Sequence, residues 1–327
     1  MQHAQLGGSG LRAPRLGFGC MGLSGSYGEV DRAAAIQTLQ AAADAGITLF
    51  DTADVYGAGE NERLLGDALR SRRHQVLLAT KGGATRDAQG RATNCGTPQY
   101  LMQACEASLA RLGTDHIDLY YLHRVDPEVP IEDSVGAMAR LVEQGKVRAI
   151  GLSEVSEATL RRAHAVHPVA ALQSEFSLAC RQPAESLFEA CRASGISFVA
   201  YSPLGRGLLG GLEQAATPAS GQDIRSSIPR FSPENLAHNV RMVARMRTIA
   251  DGLDLSVAQL ALAWVLNRPF PVFAIPGTRN AGRVAENVRA AGVALPAAVV
   301  QELDAMFPDD AIKGERHNAR MLARVGL

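Results

Sequence analysis

"RAIGLSEVSEATLRRAHAVHPVAALQSE", residues 148–175, holds two short apolar runs with a segment of helical period between them. "RAIGLS" (148–153) and "ALQSE" (171–175) are too continuous for a sheet with one wet face, so both read as strands covered on two sides. "SEATLRRAHAVH" (156–167) spaces its apolar positions as a helix does, with Ser156 where an N-cap belongs. Strand, helix and strand make a βαβ unit, and such units build a parallel sheet.

Working outward, the same pattern recurs. "LGFGC" (16–20), "ITLFD" (47–51), "VLLATK" (76–81), "IDLYYLH" (117–123), "ISFVAYS" (196–202) and "VFAIPG" (272–277) complete a set of eight strands. Helical segments such as "DRAAAIQTLQAAADAG" (31–46) and "TPQYLMQACEASLARLG" (97–113) separate them, capped by Asp31 and Thr97 and ended by Gly46 and Gly113. Eight units predict an α/β fold: a (β/α)8 TIM barrel spanning residues 1–327 as a single domain, with its active site at the C-terminal strand ends. Residues 1–14, with "GGSG" inside, suit an N-terminal β-hairpin plug. Residues 205–233, rich in Gly, Ser and Pro, are too long for an ordinary connection and suit a lid or binding loop on the C-terminal face.

Composition narrows the function. The formal net charge is zero and there is no long basic run, which argues against nucleic acid or a membrane surface as partner. No signal peptide or membrane-length apolar run appears. The five cysteines show no CxxC or zinc spacing and suit free thiols in a reducing cytosol, so a cytoplasmic enzyme without a metal site is expected.

The chemistry lies at strand ends. "FDTADVYGAGENERLLGDAL" (50–69) places Asp51 and Tyr56 after the second strand, Lys81 closes the third, and His123 follows the fourth. Singly, each has an ordinary role: a turn cap, a packed ring, a solvated amine, a satisfied imidazole. Together on one rim they make chemical sense. A phenol with a pKa of about 10 exchanges protons poorly at neutral pH, but an ammonium beside it lowers that value, and a carboxylate keeps the ammonium charged. A histidine beside the pair can orient a carbonyl oxygen. "AIPGTRNAGRVAENVRA" (274–290) offers an anion site: a strand, a Pro-Gly turn, Thr278 as N-cap, and a helix with Arg279 and Arg283 in its first turns. The glycines of "GGSG" and "GFGCMGLSGSYG" lack the βαβ setting of a dinucleotide fingerprint.

"FDTADVYGAGENERLLG", "VLLATK" and "IDLYYLHRVD" resemble, in order, the signature regions of the aldo-keto reductase superfamily. The resemblance runs from about Leu16 to Asn287. It implies NADPH-dependent reduction of a small-molecule aldehyde or ketone by a catalytic tetrad of Asp51, Tyr56, Lys81 and His123, with Tyr56 as general acid. It also implies that Ser153, Glu154 and Gln173 meet the nicotinamide carboxamide and that Tyr201 stacks on the ring. Ser202, Leu204 and Arg206 would follow the pyrophosphate. Thr278 and Arg283 would contact the 2′-phosphate, and Glu286 and Asn287 would lie near the adenine. Glu154 replaces a common asparagine; a carboxylate accepts from the amide but cannot donate. Gly277 replaces a lysine found in many members, with Arg279 supplying the charge instead. The superfamily also implies an alternative, a cofactor-sensing subunit like the potassium-channel β subunits. A monomer or weak homo-oligomer is expected. The rim segments expected to set the substrate are the stretch after Met21, residues 85–96, the 205–233 loop and the tail 313–327. In that tail Arg316 and His317 are expected to be solvated rather than to meet an acidic substrate.

Overall fold

In the computed structural model all residues except 88, 183 and 212–222 are described. The chain begins with an antiparallel pair, β1 (His3–Gln5) and β2 (Arg12–Pro14). The eight apolar runs become β3 (Phe18–Gly19), β4 (Leu49–Asp51), β5 (Leu77–Gly82), β8 (Ile117–Leu122), β9 (Val147–Ser153), β10 (Val169–Glu175), β11 (Ser197–Tyr201) and β12 (Val272–Ile275). They pair in parallel, each with its neighbour in this order. The ring closes where Leu16 bridges Ala274, with Gly17 N donating to Ala274 O at 2.8 Å and Ala274 N to Arg15 O at 2.8 Å.

Helices α1 (Arg32–Asp44), α2 (Glu60–Leu69), α3 (Pro98–Leu112), α4 (Ile131–Glu143), α5 (Glu157–Val166) and α6 (Ala184–Ala193) return the chain between strands. Helix Val257–Leu266 leads into β12, and helix Ala281–Ala290 completes the outer ring by packing against α1. The expected caps form: Asp31, Thr97 and Ser156 accept from the amides of Ala34, Tyr100 and Thr159. Period-two alternation sorts the strand side chains into two layers. Leu49, Ala79, Leu119, Ala149, Ala171 and Val199 fill the barrel, while their neighbours Phe50, Leu78, Tyr120, Ile150, Leu172 and Phe198 face the helices.

The β1–β2 hairpin sends Leu6, Leu11 and Ala13 into the interior layer and plugs one end of the barrel. Ser197 Oγ ties it down by accepting from Gly7 N at 2.9 Å and donating to Gln5 O at 3.1 Å. Only glycine fits at position 7, where φ is +53° and a Cβ would lie 2.4 Å from Ala170 O. The rim segment 85–96 carries structure the sequence did not announce: β6 (Ala84–Arg86) pairs antiparallel with β7 (Ala92–Asn94). These strands are too short and too wet for a period-two signal. Of the 205–233 loop, residues 212–222 lie outside the described residues, while Gly205–Gly210 form a helical stretch kinked at Arg206 and Gly207, and Ile224–Ser227 and Pro229–Phe231 form short helical turns. Among the described residues no single helix is long and apolar enough to cross a membrane.

Candidate active site

Asp51 is the last residue of β4, Lys81 the penultimate residue of β5, and His123 the first after β8. Tyr56 opens a short turn, Tyr56–Gly59, in which Gly57 and Ala58 both have positive φ. That left-handed stretch turns the chain sharply between β4 and α2. Asp51 and Lys81 are buried, and Lys81 Nζ donates to Asp51 Oδ1 and, at 2.7 Å, to Thr52 O. Gln173 Nε2 donates to the other Asp51 oxygen at 2.8 Å. The Lys81 ammonium lies 5.3 Å from the Tyr56 ring centroid, and the Tyr56 and His123 rings meet edge to face at 5.8 Å.

Burial governs the protonation states here. It pushes the Tyr56 phenol above its usual 10.0, and the Lys81 charge offsets that only in part. The sequence-based expectation of a lowered phenol is thereby reversed for the chain alone, because desolvation outweighs one ammonium. Burial disfavours charge on Lys81 too, but Asp51 and the phenol prevail and hold the amine above its usual 10.5. Asp51 is itself pushed up by burial against the pull of Lys81. Burial, with Arg124 and Lys81 close by, drives His123 well below 6.5, so its ring is neutral at pH 7. Its Nδ1 is buried with no hydrogen-bond partner among the described residues. Beside them, Asp54 has a buried oxygen without a partner among the described residues, and burial pushes its carboxyl up to about 7.

One cavity of about 1690 Å³ joins this group to most of the expected cofactor residues. It is lined by Asp51, Tyr56 and His123, then Ser153, Gln173 and Tyr201, then Ser202, Leu204 and Arg206, and at its far end Gly277, Thr278, Arg279, Arg283, Glu286 and Asn287. Ser202 and Arg206 have φ of 47° and 57°, strain of the kind that clusters where backbone wraps a ligand. The buried Arg206 Nε has no partner among the described residues. A guanidinium with one open N–H, together with two further arginines on the same cavity wall, fits the phosphates of a nicotinamide dinucleotide.

Three expectations need correction. Thr278 is not the cap of the following helix: Asn280 is, accepting from Gly282 N at 2.8 Å, while Thr278 Oγ accepts from Asn280 N at 3.1 Å. Thr278 therefore organises the turn, and Arg279 precedes the helix, leaving only Arg283 in its first turn. Glu154 does not line the cavity. Arg316 grips it with bonds of 2.8 and 2.7 Å, and it also accepts from Ser174 Oγ and Glu175 N. Arg316 and His317 are correspondingly buried rather than solvated. Arg230 approaches Glu175 at 3.6 Å, and the Tyr201 hydroxyl lies 3.3 Å from His317 Nε2.

The sequence passed over Arg124, whose Nη1 donates to Ser153 Oγ at 3.0 Å, while the tail expected at the rim does bring Asn318, Met321 and Arg324 to the cavity wall. For Arg124 the available signal was a charge directly after the strand-end histidine, which does not say what it faces.

This architecture, a closed eight-stranded barrel with an ion-paired lysine, a phenol and a neutral imidazole at one mouth, is that of a barrel oxidoreductase. Residues 15–307 match the Aldo/keto reductase family. A Glycine max protein named "Probable aldo-keto reductase 1" is 42% identical over 319 residues, covering 97% of this chain and 92% of that protein. The glycerol dehydrogenase of Gluconobacter oxydans superposes with TM-score 0.82 at 28% identity, covering 93% of this chain and 95% of that one. An aldo/keto reductase of Klebsiella pneumoniae, solved with NADP and acetate, gives TM-score 0.74 at 27% identity over 95% and 97%. The chain belongs to the aldo/keto reductase family, whose general activity is reduction of carbonyl groups on small molecules.

Proposed function

We propose that this protein reduces an aldehyde or ketone to the alcohol, reversibly, using NADPH and the Tyr56 hydroxyl. The observation that carries this reading is the meeting of Tyr56, His123 and the Lys81–Asp51 pair in a cavity that continues to Arg279 and Arg283. Bound NADPH supplies the hydride. As negative charge develops on the carbonyl oxygen, Tyr56 gives it a proton; a phenol held above its usual pKa is present in the protonated form this needs. Lys81, kept charged by Asp51, stabilises the phenolate left behind. The neutral His123 ring orients the same oxygen. Gln173 is half engaged by Asp51, leaving its amide oxygen for the carboxamide NH2, and Ser153 faces the same space beside Arg124.

Tyr56→Phe should cut turnover by roughly 10²–10⁴ with NADPH affinity nearly intact, since the hydroxyl acts only on substrate oxygen. Rates beside a fluorescence titration check this; near-normal turnover would remove Tyr56 as the acid. A chain that binds NADPH yet turns over nothing in a broad carbonyl panel would favour the cofactor-sensing role. The preference for NADPH over NADH rests on Arg279 and Arg283. Each changed to alanine should lower that preference about tenfold, the loss of one charge-assisted phosphate contact. Unchanged discrimination in steady-state kinetics would remove the basis for NADP(H).

A further inference from the structure

Beside His123 the cavity wall gathers guanidinium groups that form no ion pair among the described residues. Arg124 is buried; its Nη1 donates to His123 O at 2.6 Å and to Ser153 Oγ at 3.0 Å, and its Nε has no partner among the described residues. Arg324 comes from the tail, is held by Asn94 and by Thr93 O at 2.7 Å, and lines the cavity together with Arg124 and Arg86. The charges acting on Arg324 are those of Arg124 and Arg320, both positive. Of the acids near them, Glu154 is bonded to Arg316 and acts on Arg124 only through space, and Asp126 takes the amides of Gly96 and Glu128. Asp54 on the cavity wall carries a carboxyl that burial pushes up to about 7. Desolvated like charges are costly to hold together unless an anion completes the site. For the expected cofactor phosphates the cavity lining offers three other arginines, Arg206, Arg279 and Arg283.

We propose that the substrate is an aldehyde or ketone bearing an oxyanion, a carboxylate or a phosphate ester, which Arg124 and Arg324 hold while its carbonyl meets Tyr56 and His123. The inference rests on the carbonyl-reductase reading and narrows its substrate class. Planar guanidinium forks suit either oxyanion.

Two pairs of probes separate the sources: 5-oxopentanoate against pentanal, and glyceraldehyde 3-phosphate against glyceraldehyde. In at least one pair, kcat/KM should favour the charged member about tenfold or more, as one charge-assisted bond predicts. That ratio should collapse through KM in Arg324→Gln, and be partly restored in Arg324→Lys. Because Arg324 also anchors the β6–β7 hairpin, Arg124→Gln gives a second, independent collapse. Ratios near one for both pairs in the unaltered enzyme would overturn the anion site and leave the reductase reading standing. If no carbonyl is turned over, the reductase reading fails, and calorimetry decides the anion site by itself. Binding of 5-oxopentanoate that disappears in Arg124→Gln supports it; equal binding of pentanal overturns it.

Discussion

Glu154 shows how much a single side chain's meaning depends on what it meets. In the sequence it stands among cofactor residues; in the fold it turns to Arg316, at a backbone φ of 56°. Burial works against its charge, yet Arg316 holds the carboxyl well below its usual 4.5. His317 behaves oppositely: burial and the cations Arg206 and Arg316 press it down to about 3. These shifts set a pH dependence. Between about pH 3 and 6.5 an unfolded His317 binds a proton that the folded one refuses, and His123 acts in the same direction. Each histidine therefore adds stability with rising pH across that window, by at most about 1.4 kcal/mol per unit. Asp51 and Asp54, whose carboxyls burial raises, act in the opposite direction, Asp54 up to about pH 7, and the net slope is the difference. Below about pH 4.5 the Glu154 contribution is lost as well, since the unfolded carboxylate protonates first. Thermal melts from pH 4 to 8 should show this slope, and His317→Gln should remove the His317 part of it. A His317→Gln profile parallel to the parent's between pH 5 and 6.5 would contradict the buried neutral His317 ring.

At the scale of elements, helices and strands were legible because their periods are local. The eight runs needed only continuity, and the caps Asp31, Thr97 and Ser156 needed only their place before an apolar period. The Pro-Gly-Thr turn was misjudged because Thr278 and Asn280 both suit an N-cap, and which one serves depends on where β12 delivers the chain. The β6–β7 hairpin left no trace because its strands bury no continuous face. Close approach between helices is equally silent in sequence. Gly66 lies inside α2, where a Cβ would come within 2.4 Å of Leu112 O at the end of α3. Gly66→Ala, a change that raises helix propensity, should therefore destabilise the fold by about 1–3 kcal/mol through overpacking. Denaturant unfolding would check it, and a stabilised variant would show that the α2–α3 contact yields freely.

Across the whole molecule, closure brings together residues that the chain holds far apart. Asp51 and Gln173 are neighbours because β4 and β10 share one barrel interior, and the tail reaches the cavity because Arg316 finds Glu154 beside β10. Gly326 N also donates to Glu154 O at 2.8 Å, so one residue holds the tail by side chain and backbone. Arg316→Met leaves a carboxylate buried without its cation, so a loss of about 3–5 kcal/mol is expected. Pairing it with Glu154→Gln should recover part of that loss, because the stranded charge is gone. Chemical denaturation of the single and double variants measures both; an Arg316→Met chain as stable as the parent would mean that water reaches Glu154.

The sequence by itself determined the barrel, the hairpin plug and the four side chains at the strand ends. Alternation, capping and strand-end position are set by near neighbours along the chain. Only the tertiary structure decided what those groups face: that burial raises the Tyr56 phenol despite Lys81, that Glu154 belongs to Arg316 rather than to the cavity, and that Arg124 and Arg324 gather beside His123. Desolvation and charge pairing depend on distances through space, and those exist only once the ring of strands has closed and the tail has docked on it.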